Sequence, residues 1–307
     1  VTLLVMSAIA PAVALIALGV YLRSSQFLPD AFWAPAEKLS YQILLPALLI
    51  HGLSHAELAD LPVGRVAGAL IASTTIVAAA LVALRRQLAP DDAAFTSVFQ
   101  GGVRFNNYIG VTAAVGLFGE PGLALAAVAN AAIIPTVNIL CVLVFALCGG
   151  GRTSVGGVLR SIVANPLVIG SGIGIALLAT GTELPTPLDA CVRALGLGAL
   201  PLGLLCVGAA LDWTAIGEKL SPTLGASLAK FVAMPLVTAL ICVGIGLDAT
   251  AAGVAVLFQA LPTASSSYVM ASRNGGDVRL MAAIIAFQTV TACVTIPAAM
   301  IAHQALT

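Results

Sequence analysis

Charge is what this sequence has least of. Only 8% of its 307 residues are Asp, Glu, Lys or Arg, against roughly 25% in soluble globular domains, and that scarcity excludes an ordinary water-soluble fold. No HExxH and no GxSxG elbow occurs. The three histidines, His51, His55 and His303, lie at or towards the ends of apolar runs, away from the main serine cluster, so a hydrolytic membrane enzyme is not expected. Phosphate-cradling glycine motifs and nucleic-acid signals are also missing. No nucleic-acid partner is expected, and their absence argues against ATP-driven pumping by this chain alone. The six cysteines, Cys141, Cys148, Cys191, Cys206, Cys242 and Cys293, form no CxxC pair and have no histidine at metal-ligand spacing. They are expected to act as buried small hydrophobes, and no metal or cofactor is expected. The short alternating segments of a transmembrane barrel are absent as well.

What is present is apolar length. Hydrophobic residues make up 60% of the chain, mean hydropathy is +1.08, and apolar blocks of about 20 residues alternate with short charged or Pro/Gly-rich breaks. The sequence therefore predicts an all-α polytopic protein of the lipid bilayer. Ten transmembrane helices are expected, at about Thr2 to Leu22, Leu39 to Leu58, Val63 to Leu84, Ala93 to Phe118, Leu123 to Cys148, Leu159 to Thr180, Leu188 to Leu211, Thr223 to Leu247, Thr250 to Ser272 and Val278 to His303. The connections are too short to hold a soluble domain. Nothing basic precedes the first apolar run and Arg23 follows it, which fits an N-out first span better than a cleaved signal peptide. With the N-terminus outside, the cytoplasmic connections hold Arg23, Lys38, Arg85, Arg86, Arg152, Arg160, Lys219, Arg273 and Arg279, and the outer ones only Arg65 and Arg193. Both termini are then expected outside.

Landmarks recur at a nearly constant offset. Pro11 matches Pro166 and Leu45-Pro46 matches Leu200-Pro201, both at 155; Phe99-Gln100 matches Phe258-Gln259 at 159; Pro135 matches Pro297 at 162. Two five-helix halves are expected, residues 1–150 and 151–307. Five is odd, so the second half enters the membrane from the opposite side, giving the inverted repeat of many secondary transporters.

The matched Phe-Gln pairs open the two polar stretches that lie deepest in the apolar runs, Phe99 to Gly110 and Phe258 to Tyr268. Arg104 to Asn107 lie about twelve residues or more into the fourth span, roughly 18 Å at 1.5 Å per residue, and Pro262 lies at similar depth in the ninth. Backbone freed there cannot be satisfied by lipid and must face protein or a water-lined cavity. Arg104 is suited to clamping a carboxylate, or to capping carbonyls at the break. Asn106 and Asn107 favour a helix break and offer amides, with Gly110 loosening the flank. Opposite them Pro262 removes a helical hydrogen bond, and Thr263, Ser265, Ser266 and Ser267 supply hydroxyls for substrate binding, or allow close helix packing. Gln100, Gln259 and His51 are candidate cavity or ion contacts. Lys230 is expected to snorkel to the interface, and Asn130, Asn138 and Asn165 to make helix–helix contacts.

Phe99 to Gly110 continuing to Gly119, the segment Ala164-Asn165-Pro166-Leu167, the run Gly203 to Leu211, and Gln259-Ala260-Leu261-Pro262-Thr263-Ala264 together resemble the auxin efflux carrier family. That family includes bacterial carriers and the plant PIN-type auxin exporters. The resemblance implies ten helices in two inverted repeats, with helices 4 and 9 broken and crossing. It implies a scaffold of helices 1, 2, 6 and 7, a transport domain of helices 3 to 5 and 8 to 10, elevator-type movement and a homodimer. It further implies a small organic anion as substrate and, for a bacterial member, the inner membrane. Plant members have a proline before the fourth-helix asparagine and a long central loop. Here those places hold Arg104-Phe105-Asn106-Asn107 and the short Gly149 to Gly157, which argues against auxin itself. The alternatives are a non-transporting ligand sensor on the same fold, a passive channel, or a sodium-coupled carrier of the bile acid symporter type. The last has no acidic residue in the ninth span to support it.

Overall fold

The structure is a computed structural model describing residues 2–56, 61–148, 160, 163–215 and 219–304. The expected linker Gly149 to Gly157, the boundary between residues 150 and 151, Arg152 and the span ends Leu58 and Leu159 lie outside the described residues. The described residues are helical throughout, with no strand among them. In chain order the helices are α1 (Thr2–Ser24), α2 (Asp30–Leu39), α3 (Leu45–Ser54), α4 (Val63–Ala83), α5 (Arg85–Leu88), α6 (Asp92–Val103) and α7 (Asn107–Leu147). After them come α8 (Pro166–Thr180), α9 (Thr186–Ala209), α10 (Leu220–Leu228), α11 (Met234–Gly244), α12 (Ala249–Gln259), α13 (Ser266–Asn274) and α14 (Val278–Gln304). Among the described residues six helical stretches are long and apolar enough to cross a membrane, and α8 and α12 are shorter apolar helices.

Sequence explains where these helices bend. Single π-turns occupy Ser40–Leu44 before α3 and Ala229–Ala233 before α11. Each lies just ahead of a proline, Pro46 or Pro235. A proline ring clashes with the carbonyl four residues back, here Gln42 or Phe231, and widening that turn relieves the clash while the helix continues. The break expected between the fourth and fifth spans narrows to one residue, Gly119 (φ 64°, ψ −141°). Beyond it a Cβ on Gly122 would run into the Ala114 carbonyl, so the chain doubles back sharply inside α7.

The chain forms two compact units. One comprises Val1–Val63, Asn107–Ala131 and Ser161–Ala210. Here α1 lies along α9, and α3 packs on α8 and α9. Glycines set the first approach: a Cβ on Gly19 would strike the Leu205 carbonyl, and one on Gly208 the Ile16 carbonyl. Small residues that let backbones meet are the usual basis of helix association in lipid. Trp33, Ala36, Cys206 and Ala209 form a buried cluster beside them.

The other unit comprises Gly64–Asn106, Ala132–Arg160 and Leu211–Thr307. Its core joins Ala94 and Val98 of α6, Ala226 of α10, Ala271 of α13, and Leu280, Met281, Ile284 and Ile285 of α14. Asp91 and Asp248 cap α6 and α12, accepting from Ala94 N and Ala251 N at 2.8 and 2.9 Å. Asp277 caps α14 through Leu280 N at 3.0 Å and also pairs with Lys219. Its backbone ties α14 to α6, donating to Ala93 O at 3.1 Å and accepting from Ser97 Oγ at 2.9 Å.

Two predictions follow from this packing. Gly208→Ala should lower thermal stability in detergent by about 1–3 kcal/mol, the cost of overpacking. Gly172→Ala, where a Cβ meets open space, should change it little. Partial burial pushes the Asp277 carboxyl pKa up, but the hydrogen bonds from Lys219 and from backbone N–H groups outweigh this and hold it below the usual carboxylate range. A group lowered on folding stabilises above its unfolded value of roughly 4 and loses that contribution as pH falls through the folded value. Unfolding midpoints of Asp277→Asn, which keeps a capping oxygen, should therefore fall less between about pH 5 and pH 3 than those of the native chain.

Candidate substrate site at two broken helices

Both polar stretches interrupt helices. α6 ends at Val103, Arg104 is extended (φ −75°, ψ 161°), and α7 begins at Asn107. α12 ends at Gln259 and α13 starts at Ser266. Within the second unit the interruptions are bonded directly, Asn106 N donating to Pro262 O at 2.8 Å. The Phe105 and Phe258 rings meet edge to face at 5.8 Å.

The freed backbone groups find a shared partner that the sequence reading missed. Fully buried Gln288 of α14 accepts from Thr263 N at 2.9 Å and donates to Gly101 O at 3.1 Å, bridging one break to the other. Thr263 Oγ1 lies 3.4 Å from Gln100 O and 3.1 Å from Ser267 Oγ. The signal for Gln288 was its place in a third Phe-Gln pair, Phe287-Gln288, in the middle of the last apolar run.

Arg104 is half-buried, and its guanidinium touches neutral acceptors: Asn138 Oδ1 at 3.4 Å, Met270 Sδ at 3.0 Å and Ser266 Oγ at 3.3 Å. Among the described residues no carboxylate pairs with it. Ser266 is exposed and Ser265 half-buried, whereas Pro262, Thr263 and Ser267 are buried. Arg104, Asn106, Pro262, Thr263, Ser265, Ser266 and Ser267 thus share one unit. Asn107, Gly110 and His51 are counted in the other.

The two paired glutamines differ. Gln259 Nε2 is held by α4, donating to Thr74 Oγ1 at 2.8 Å, Ser73 Oγ at 3.1 Å and Leu70 O at 3.2 Å. Both amide atoms of Gln100 are buried without a hydrogen-bond partner among the described residues, as is Asn107 Oδ1.

Other expectations change. Lys230 does not snorkel; it sits fully buried in the π-turn before α11, and its Nζ has no hydrogen-bond partner among the described residues. Residue counting places it by depth along the span but does not say which face it occupies. His51 lies beside Asp189, with Nδ1 and Oδ1 3.1 Å apart. Cys191 is exposed, unlike buried Cys141, Cys206 and Cys242. Asn165 caps α8 and also donates to Tyr41 Oη at 3.3 Å, Asn138 meets Arg104, and both amide atoms of Asn130 are buried with no partner among the described residues. An apolar groove of about 400 Å³ between α3 and α8, lined by Pro46, Ile50, Pro166 and Ile173, contains none of the expected substrate residues.

These bonds separate the roles of two buried glutamines. Gln288→Leu strands a buried N–H and a buried carbonyl, at about 1–3 kcal/mol each, and should lower the unfolding temperature markedly. Gln100→Leu removes an amide that has no partner among the described residues and should leave stability unchanged or raised.

Residues 152–300 match the family model described as "Membrane transport protein", that of the auxin efflux carriers. No curated protein matches the chain. The matched segment includes the second break, the serine cluster and Gln288. Residues 152–300 are thus similar to the membrane transport protein family of the auxin efflux carriers.

Proposed function

We propose that the protein is a secondary carrier for a small organic anion, bound as a carboxylate where the two interruptions meet. The observation that carries this reading is the Arg104 guanidinium, half-buried at a helix break with only neutral partners among the described residues. A mid-membrane cation costs at least about 2.5–3.5 kcal/mol unless compensated, and a carboxylate presented to its planar fork would supply that compensation. Exposed Ser266, 3.3 Å from the guanidinium, would share the anion, and Asn106 and Asn107 would orient it.

In this reading the ten spans form two inverted five-helix repeats, residues 1–150 and 151–307. The matching Asp caps of α6 and α12, each followed by a short helix that stops at a break, support the repeat. Helices 1, 2, 6 and 7 form a scaffold through which two copies pair, and the remaining helices form a moving transport domain. The separate packing of α1, α2, α3, α8 and α9 supports that division. The segment Asn107–Ala131 is grouped with them and stands outside the simple scheme. Both termini face outwards across a bacterial inner membrane, as the charge distribution of the connections supports.

Arg104→Gln should reduce carboxylate flux into proteoliposomes at least tenfold, a loss of about 1.4 kcal/mol or more in transition-state terms, while Arg104→Lys keeps part of the rate. The measurement is counterflow of labelled against unlabelled anion, which a carrier performs and a sensor does not. Unchanged flux in Arg104→Gln would remove the charge role.

A further inference from the structure

A second cluster, unrelated to the helix breaks, lies within the other unit. His51 and His55 sit one turn apart at the end of α3, with ring centroids 4.5 Å apart. Asp189, in the first turn of α9, faces both. Its Oδ1 lies 3.1 Å from His51 Nδ1 and 3.9 Å from His55 Nε2, and one ligand atom from each of the three residues falls within 4.8 Å of the others.

The hydrogen bonds settle which nitrogen of His55 is free. His55 Nδ1 lies 2.9 Å from the His51 carbonyl oxygen. A carbonyl only accepts, so Nδ1 carries the proton and Nε2 of the neutral ring presents a lone pair towards Asp189. This is the arrangement of metal-binding histidines, whose other ring N–H is anchored on a carbonyl or carboxylate. In the neutral ring that lone pair faces a carboxylate oxygen, and the two repel unless a cation lies between them.

We propose that His51 Nδ1, His55 Nε2 and Asp189 bind one divalent transition-metal ion, of which Zn²⁺ is the probe. Two imidazole nitrogens and one carboxylate suit Zn²⁺, Co²⁺ or Ni²⁺, whereas Mg²⁺ and Ca²⁺ prefer oxygen ligands throughout. Tetrahedral bonds of about 2.0–2.1 Å place ligand atoms roughly 3.3 Å apart. The His51–Asp189 separation already meets this, and the exposed His55 ring closes the remainder by rotating. His51 and Asp189 are each about a quarter exposed and His55 more than half, so water completes the fourth position. Binding displaces the proton shared between His51 and Asp189 and fastens the end of α3 to the start of α9. The site does not depend on the transport reading, since none of its residues touches Arg104 or the serine cluster.

The test uses the purified full chain in detergent at neutral pH. ZnCl₂ should raise the unfolding temperature saturably with one ion bound per chain, Co²⁺ should develop tetrahedral visible absorption bands, and MgCl₂ should do neither. His55→Ala, which alters an exposed side chain and keeps the fold intact by circular dichroism, should lose the Zn²⁺ response. Asp189→Asn should weaken it at least tenfold, and His303→Gln should retain it. An equal Zn²⁺ response in His55→Ala and Asp189→Asn would overturn the proposal. So would a native chain that ignores Zn²⁺ but is stabilised by acidification through the histidine range, since a proton on His55 would then be the occupant.

Discussion

The hydrogen bond from Asn106 N to Pro262 O is the contact on which the second unit's interior depends. Two helices stop within an apolar interior, and each stop frees backbone groups that lipid cannot satisfy. Each break supplies what the other lacks: the first offers an N–H, the second a carbonyl. Gln288 repeats the exchange in the opposite sense, taking an N–H from Thr263 and giving one to Gly101 O. Neither break can be satisfied alone, so the two form one element of structure although more than 150 residues separate them.

The same constraint explains the glycines of the first stretch. A Cβ on Gly101 would lie 2.6 Å from Ile284 Cγ2, and one on Gly102 2.7 Å from Leu81 Cδ1. These glycines do more than weaken α6 near its end. Gly101 also leaves room for Ile284 of α14, one turn before Gln288, and Gly102 for Leu81 of α4. Chain flexibility and close packing here come from one substitution of side chain for hydrogen.

Much of this was legible because interruptions within apolar runs stand out whatever surrounds them. Proline, paired Asn and clustered Ser located both breaks. What the sequence withheld was partnership. Gln100 and Gln259 occupy matching positions, yet the Gln259 amide is held by Ser73 and Thr74 and the Gln100 amide by no partner among the described residues. The Phe287-Gln288 pair marks Gln288 as a third deep amide but not what it bonds, because its role is set by a carbonyl and an N–H group on other segments. Lys230 was misread for the same reason: counting residues from a span end measures depth, whereas burial depends on the neighbouring helix. His51 had an identifiable partner only once α9 was in place, 138 residues away.

The asymmetry between the breaks has a structural counterpart. After the second break the chain continues into α13, nine residues that stay within the same unit. After the first it enters α7, whose opening segment packs with α1, α3, α8 and α9, Tyr108 lying where a side chain on Gly203 would otherwise sit. One of the places where the chain passes from one unit to the other therefore falls between Asn106 and Asn107. Asn106 is fixed by its bond to Pro262, whereas Asn107 begins a helix grouped elsewhere. Two adjacent amides that read as a pair thus answer to different packing.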